Sequence, residues 1–533
     1  MRILRHIFIV ISIFRTKAIV VDWNGDEDKH YNSLEFSTIS NSTRELQKAL
    51  KCTDGLVGGY RCNNVNFQSR MPLYALGAFG QEEKLEASDI WGWTDPVTGV
   101  EYAIIGLFQG TVFVDLSNPA VPEVVAKLPA TVEGAAARDI KTYGQYAYIV
   151  SETTGHGVQI FDMSVLKQIT DPPVFVRPNA LYGFTGTFPD GRSSRKRSSI
   201  DLEDSDEEET SKNRDQLSNR NLRGYDDYYY YDDYYYHHDD DDDSVLIDGI
   251  KPPWWTEGGD AHNIVINEQS GYAYLVGSDK CNGGLYILDL SDPLRPDFAG
   301  CFGDTGYIHD AQCIIYRGPD KTYRRREICF AANGKNGLSI IDVTNKAGPL
   351  LISRIDKAYF RFISQGWLTD EHRFFIMADE GRKGGSKTYI IDISDLDKPT
   401  LNGIHTSELE AQPHNLIVRG SYIYQANYRG GLRILNLLEI YGDTAEAGFF
   451  DLYKDNDNYG NQGAFGVYPF FRSGNVIVSS TEDGLFVVKP VWLKPPSAPA
   501  EEECGFFGNL LKNFTGLFSR MMTNAILTRT IMN

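Results

Sequence analysis

Seven short apolar segments of one pattern recur along this chain, and six of them stop at an Asp or Asn. They are Thr111–Asp115, Val158–Asp162, Leu285–Asp289, Leu338–Asp342, Thr388–Asp392, Leu432–Asn436 and Leu485–Val488, the last followed by Lys489. Apart from the step from Asp162 to Asp289, successive segments end about 45 to 55 positions apart, a period that belongs to propeller blades rather than to helical solenoids. Several are followed by turn chemistry, as at Ser117-Asn118-Pro119 and Ser291-Asp292-Pro293, where the Asx side chain caps the chain and Pro fixes φ. Sustained 3.6-residue apolar periodicity is almost absent. The fold class expected is all-β, a β-propeller. Seven units point to seven blades, with six or eight open if the first and last units share one. Two stacked β-sandwiches are the competing architecture, and regular repetition speaks against them.

The long step holds an insertion of another kind. Between Asp201 and Asp243 there are 17 acidic and 4 basic residues, a net of −13 within a chain of net charge −20. Tyr225 to Tyr236 is almost wholly Tyr and Asp, and Asp239, Asp240, Asp241, Asp242 and Asp243 follow His237-His238. So much charge with so little apolar surface cannot offset the entropy of ordering, and residues 191–244 are expected to be disordered. The segment reads either as a solvated spacer or as a weak Ca²⁺ or mineral binder, since carboxylates are hard oxygen ligands. Ser205, beside acidic residues, is a phosphorylation candidate. Acidity of this kind argues against a nucleic-acid partner.

The ends and the cysteines speak to compartment. Residues 1–18 combine Arg2 and Arg5 with an apolar run, Ile7 to Phe14, too short to span a bilayer; they read as a signal peptide. Cys52 with Cys62, Cys281 with Cys301, and Cys313 with Cys329 make three local pairs, leaving Cys504 over; that arrangement suits a secreted, extracellular protein. Asn41 and Asn513 open glycosylation sequons. No transmembrane anchor is expected. The domain reading is then a signal peptide at 1–18, an N-terminal segment with its own disulfide at 19–72, a first part of the propeller at 73–190, the insertion at 191–244, a second part at 245–489 and a tail at 490–533.

The units resemble LVIVD repeats, and the whole run is similar to the choice-of-anchor B family of surface proteins. The resemblance rests on Ser88-Asp89-Ile90-Trp91-Gly92-Trp93, Arg138-Asp139-Ile140-Lys141, Ala261-His262-Asn263, His309-Asp310-Ala311-Gln312-Cys313, Gln365-Gly366-Trp367-Leu368, Pro413-His414-Asn415 and Asn427-Tyr428-Arg429-Gly430-Gly431. It covers roughly residues 50 to 490 without the insertion. It implies an extracytoplasmic propeller and no particular reaction. One departure stands out: Ser364 precedes Gln365 where the pattern implies a histidine.

In a propeller the first strand of each blade lines the central channel, so polar residues that open the units are expected to converge at one mouth. Asp89, Asp139, His262, His309, Asp310 and His414 are the candidates for a transition-metal or Ca²⁺ site, with Gln365 beside them. Asp379 and Glu380, or Glu482 and Asp483, belong near that mouth or on another surface. The plainer reading is that these side chains bond backbone groups left unpaired between blades. Trp91, Trp93 and Trp367 read as blade packing. G-x-S-x-G, H-E-x-x-H, Walker and dinucleotide motifs are all missing. The function expected is binding rather than catalysis: a secreted scaffold for extracellular proteins, cations or a mineral surface. The alternative is a metal-dependent hydrolase or lactonase at the channel.

Overall fold

Each apolar segment of the repeat is the third strand of its own sheet. The computed structural model describes residues 49–77, 86–132, 137–183, 259–357, 360–381, 386–440 and 445–491, all within the unit Leu46–Asn533. These residues form seven sheets of four to six strands. The signal peptide, the insertion with Asp239 to Asp243, the sequons at Asn41 and Asn513, and the tail beyond Val491 lie outside the described residues. Among the described residues, no helix is long and apolar enough to cross a membrane.

The innermost strands are Ala87–Thr94, Arg138–Tyr143, Asn263–Asn267, Asp310–Ile315, Ile363–Leu368, Leu416–Arg419 and Ala464–Tyr468, and they number the blades one to seven. Each adjoins the next, and the seventh adjoins the first. The chain is a seven-bladed β-propeller. Third strands such as Val158–Asp162, Leu285–Asp289 and Leu338–Asp342 are mostly apolar and buried almost throughout because both faces of a blade are covered by neighbours. Strand side chains alternate between faces. Ile104 and Phe113 therefore pack toward the second blade, while Ala103, Ile105, Val112 and Val114 pack toward the seventh. The closing Asp or Asn has a local task. Asp115, Asp162, Asp289, Asp342, Asp392 and Asn436 each accept the backbone N–H two residues on, at 2.6 to 3.1 Å, an Asx turn that steers the chain out of the strand.

The ring closes with strand from the other end of the chain. Val65–Met71 is the outermost strand of the seventh blade, antiparallel to Gly484–Pro490. Tyr60–Asn63 and Leu56–Val57 extend the sixth blade from Glu446–Phe450. Strands within residues 56–71, the later part of the N-terminal segment, thus belong to these sheets. Phe67 is fully buried and stacks on Phe450 with centroids 5.9 Å apart. The three expected disulfides are formed, with Cα separations of 6.0 Å for Cys52–Cys62, 5.6 Å for Cys281–Cys301 and 4.0 Å for Cys313–Cys329.

Candidate functional site at the channel mouth

The inner strands all open on one face of the ring, and each opens on an equivalent pair of residues. The first members are Ser88, Arg138, His262, His309, Ser364, His414 and Phe465; the second are Asp89, Asp139, Asn263, Asp310, Gln365, Asn415 and Gly466. The structure makes two connected networks of them.

The second members make a polar belt. Lys141 Nζ lies 2.7 Å from Asp139 Oδ1 and 3.6 Å from Asp89 Oδ2. Asn415 Nδ2 donates to Asp89 Oδ1 at 3.0 Å. Gln365 donates to Asp310 and accepts the backbone N–H of Leu416. Three carboxyl groups thus face one lysine, all of them at most 9% exposed. Burial, with the charges of Asp89 and Asp310, pushes the Asp139 carboxyl well above its usual range against the pull of Lys141. Burial also raises Asp310, again opposed by Lys141. Lys141 moves up: burial disfavours its charge, and the carboxylates of Asp139, Asp89 and Asp310 outweigh burial.

The first members make a layer of imidazoles and rings. His309 donates from Nδ1 to Ser364 O at 2.8 Å, and His414 from Nδ1 to Phe465 O at 2.6 Å. Each histidine so ties its blade to the next, as the plainer sequence reading expected, and each keeps Nε2 for other partners. His262 donates from Nδ1 to Glu152 Oε1, and its ring lies 3.9 Å from that of His309. Burial, then the neighbouring His262 and His414, holds His309 well below its usual range. For His262 burial works against protonation, but the Glu152 carboxylate wins and the group titrates higher. Phe362 meets His309 edge-on at 5.1 Å, and Phe465 and Tyr428 flank His414 at 4.2 and 4.8 Å.

The paired acids separate in role. Asp379 accepts from Arg361 N, Phe362 N, Gly381 N and Tyr389 OH, which makes it a turn-forming group. Glu380, the next residue, accepts from Tyr428 OH at 2.9 Å and acts electrostatically on His262 and Tyr307. Glu482 accepts from Gly463 N, and Asp483 pairs with Arg70. Trp91 and Trp93 donate to Thr142 Oγ1 and Gly144 O, joining the first blade to the second. Lys141, Glu152, Asn415 and Gly466 are participants that the sequence reading did not single out as site residues. Aligning the units on the opening pair, rather than on the third strand, shows the last two. Among the described residues, no three His, Asp or Glu ligand atoms at the mouth lie within 4.8 Å of one another; the one such trio is Asp320, Asp395 and Asp397, in loops of the fourth and fifth blades, where Asp320 and Asp395 cap turns and Asp397 accepts from Tyr323 OH.

Behind the belt, Arg138 is buried and has no carboxylate partner among the described residues. Its Nε donates to Leu107 O and its Nη1 to His156 Nε2, both at 3.0 Å. Burial lowers Arg138 to about 9, and burial together with the Arg138 charge lowers His156 to about 3.

The LVIVD repeat family matches residues 134–164, 258–304 and 329–357, which hold the third strands of blades two and three and, in the last stretch, that of blade four. The chain carries LVIVD repeats. Its LVIVD propeller is similar in structure to hydrazine synthase of Kuenenia stuttgartiensis, with a TM-score of 0.43 and 11% identity over 78% of this chain and 98% of that one. It is also similar to the periplasmic gluconolactonase PpgL of Pseudomonas aeruginosa, with a TM-score of 0.39 and 9% identity over 65% of this chain and 80% of that one. Likenesses this distant carry nothing about chemistry. No curated protein matches the LVIVD chain in sequence.

Proposed function

We propose that this LVIVD propeller is a secreted binding protein that takes a cation at the channel mouth. The charge balance of the belt carries the reading: Asp89, Asp139 and Asp310 converge on the single Lys141, and Glu380 adds a further carboxylate near them. Buried carboxylates in excess of their cations draw protons or a positive ligand. The metal ion expected from the sequence, with His262, His309 and His414 beside Asp89, Asp139 and Asp310, is one member of that class. Three disulfides suit an oxidising compartment, and an N-terminal signal peptide would deliver the chain there. The acidic run Asp239 to Asp243 would add weak Ca²⁺ binding, and basic extracellular proteins or mineral surfaces would be its partners.

Isothermal titration of the whole protein with Ca²⁺, Mn²⁺, Zn²⁺ and alkylammonium ions tests the reading, together with metal analysis of the purified protein. A stoichiometric cation that binds about tenfold more weakly to Asp310→Asn supports it. Weak uptake at many sites, unchanged by that substitution, overturns it. The free Nε2 atoms of His309 and His414 favour a second reading, metal-dependent hydrolysis of an ester or lactone. Metal-stimulated turnover abolished by His309→Ala would replace the binding reading with that one.

A further inference from the structure

We infer that the cation taken at the mouth is an organic ammonium group, with the Glu380 carboxylate as its partner and the rings of Phe362 and Phe465 beside it. This rests on the cation-binding reading and narrows it to one ligand class.

Several buried oxygens at the mouth lack partners, among them Asn263 Oδ1 and two in the fifth blade. Glu380 is 6% exposed, and while its Oε1 accepts from Tyr428 OH, its Oε2 has no hydrogen bond. Ser364 is fully buried, and its Oγ has none either. Both belong to the fifth blade, one in the inner strand and one in the loop after the second strand. A buried carboxylate oxygen without a donor is costly to hold, and a bound N–H donor removes that cost. Aromatic residues belong to the same neighbourhood. Its backbone N–H donates to Phe362 O at 2.9 Å, and Tyr428, which holds its Oε1, meets Phe465 edge-on at 6.2 Å.

The spacing decides between a metal ion and an ammonium. A bare divalent ion needs several ligand atoms at roughly 2.0–2.6 Å, hence close to one another, and among the described residues no His, Asp or Glu trio at the mouth meets even a 4.8 Å limit. An ammonium nitrogen reaches acceptors at about 2.8 Å that stand further apart. Its charge is also stabilised by aromatic faces, and its alkyl stem by apolar contact. A buried carboxylate with an unpartnered oxygen, in a mouth that also holds Phe362 and Phe465, matches an amine head group, whether free or at the end of a lysine side chain.

Calorimetry on the full-length protein with n-butylammonium chloride, with 1-butanol as the uncharged control and MnCl₂ and ZnCl₂ as metal probes, tests this. The expected result is saturable binding of butylammonium, none of butanol, and a loss of about tenfold in Glu380→Gln. Phe362→Leu should lower affinity severalfold while keeping the carboxylate, and it decides the matter if Glu380→Gln does not fold. Binding of Mn²⁺ or Zn²⁺ without butylammonium overturns the inference and leaves the cation reading standing. Binding of none of the three overturns the inference, and the cation reading falls with it when Ca²⁺ also fails to bind. A peptide with a free lysine that binds as butylammonium does would identify a protein source, and binding by butylammonium alone a small amine.

Discussion

Asn415 and Asp89 lie 326 positions apart in sequence, and Asn415 Nδ2 donates to Asp89 Oδ1 at 3.0 Å past the opening of the seventh blade. Gly466 makes room for it. A Cβ at that position would stand 2.4 Å from Asp89 Oδ1, so the belt's second member in this blade can carry no side chain without displacing the carboxylate.

Gly466→Ala should therefore push Asp89 off Asn415 and disturb Lys141. The expected cost is about 1–3 kcal/mol of stability, read from urea unfolding, with weaker cation binding measured on the same protein. A variant with unchanged midpoint and unchanged binding would show that the belt tolerates the shift.

The N-terminal strand should be essential to closure. A chain beginning at Leu73 lacks Val65 and Phe67, both fully buried, and Met71; it also leaves Gly484–Pro490 as an open edge. At roughly 1.5–3 kcal/mol for each buried side chain, the loss exceeds 5 kcal/mol to order of magnitude. Differential scanning calorimetry should find a cooperative transition for a chain beginning at Ala49 and a broad, aggregating one for the shorter chain.

Acid should destabilise the second blade through His156. This imidazole is held neutral in the fold down to about pH 3, against an ordinary value of 6.5. The unfolded chain takes up a proton below pH 6.5 that the folded one refuses. Stability is then full above 6.5 and falls by a few kcal/mol as pH drops toward 3. His309, also held low, adds to the same limb. His156→Gln keeps an acceptor for Arg138 and should flatten the limb in part, as melting temperatures at pH 7, 5 and 4 would report.

The Cys281–Cys301 bridge joins the loop before the third strand of blade three to the strand after it, across 20 positions. Replacing both cysteines by serine should cost about 2–4 kcal/mol. Amide exchange should rise first in Leu285–Asp289 and Asp297–Phe302, and equal protection there would argue that sheet pairing alone fixes the blade.

The blades were legible in the sequence because the information that makes them is local. An apolar run needs two covering neighbours whatever they are, and the Asp or Asn that ends it bonds a backbone N–H two residues away. The repeat period and the short spacing of the cysteines follow from the same locality. The mouth was legible in part: His262, His309, His414, Asp89, Asp139 and Asp310 open strands of the repeat, so their position in the unit placed them at the channel. Their partners were not visible. Asp379 and Glu380 are adjacent acids, and only the packed loop makes one a turn cap and leaves the other with a free oxygen. Lys141 among the carboxylates, Asn415 on Asp89, and Val65–Met71 against Gly484–Pro490 each join residues brought together by closing a ring. By itself the sequence determined the unit and its repetition, since these depend on neighbours a few residues apart. The tertiary structure decided which charges meet at the axis, because that depends on the number of blades and on which strand closes the last one.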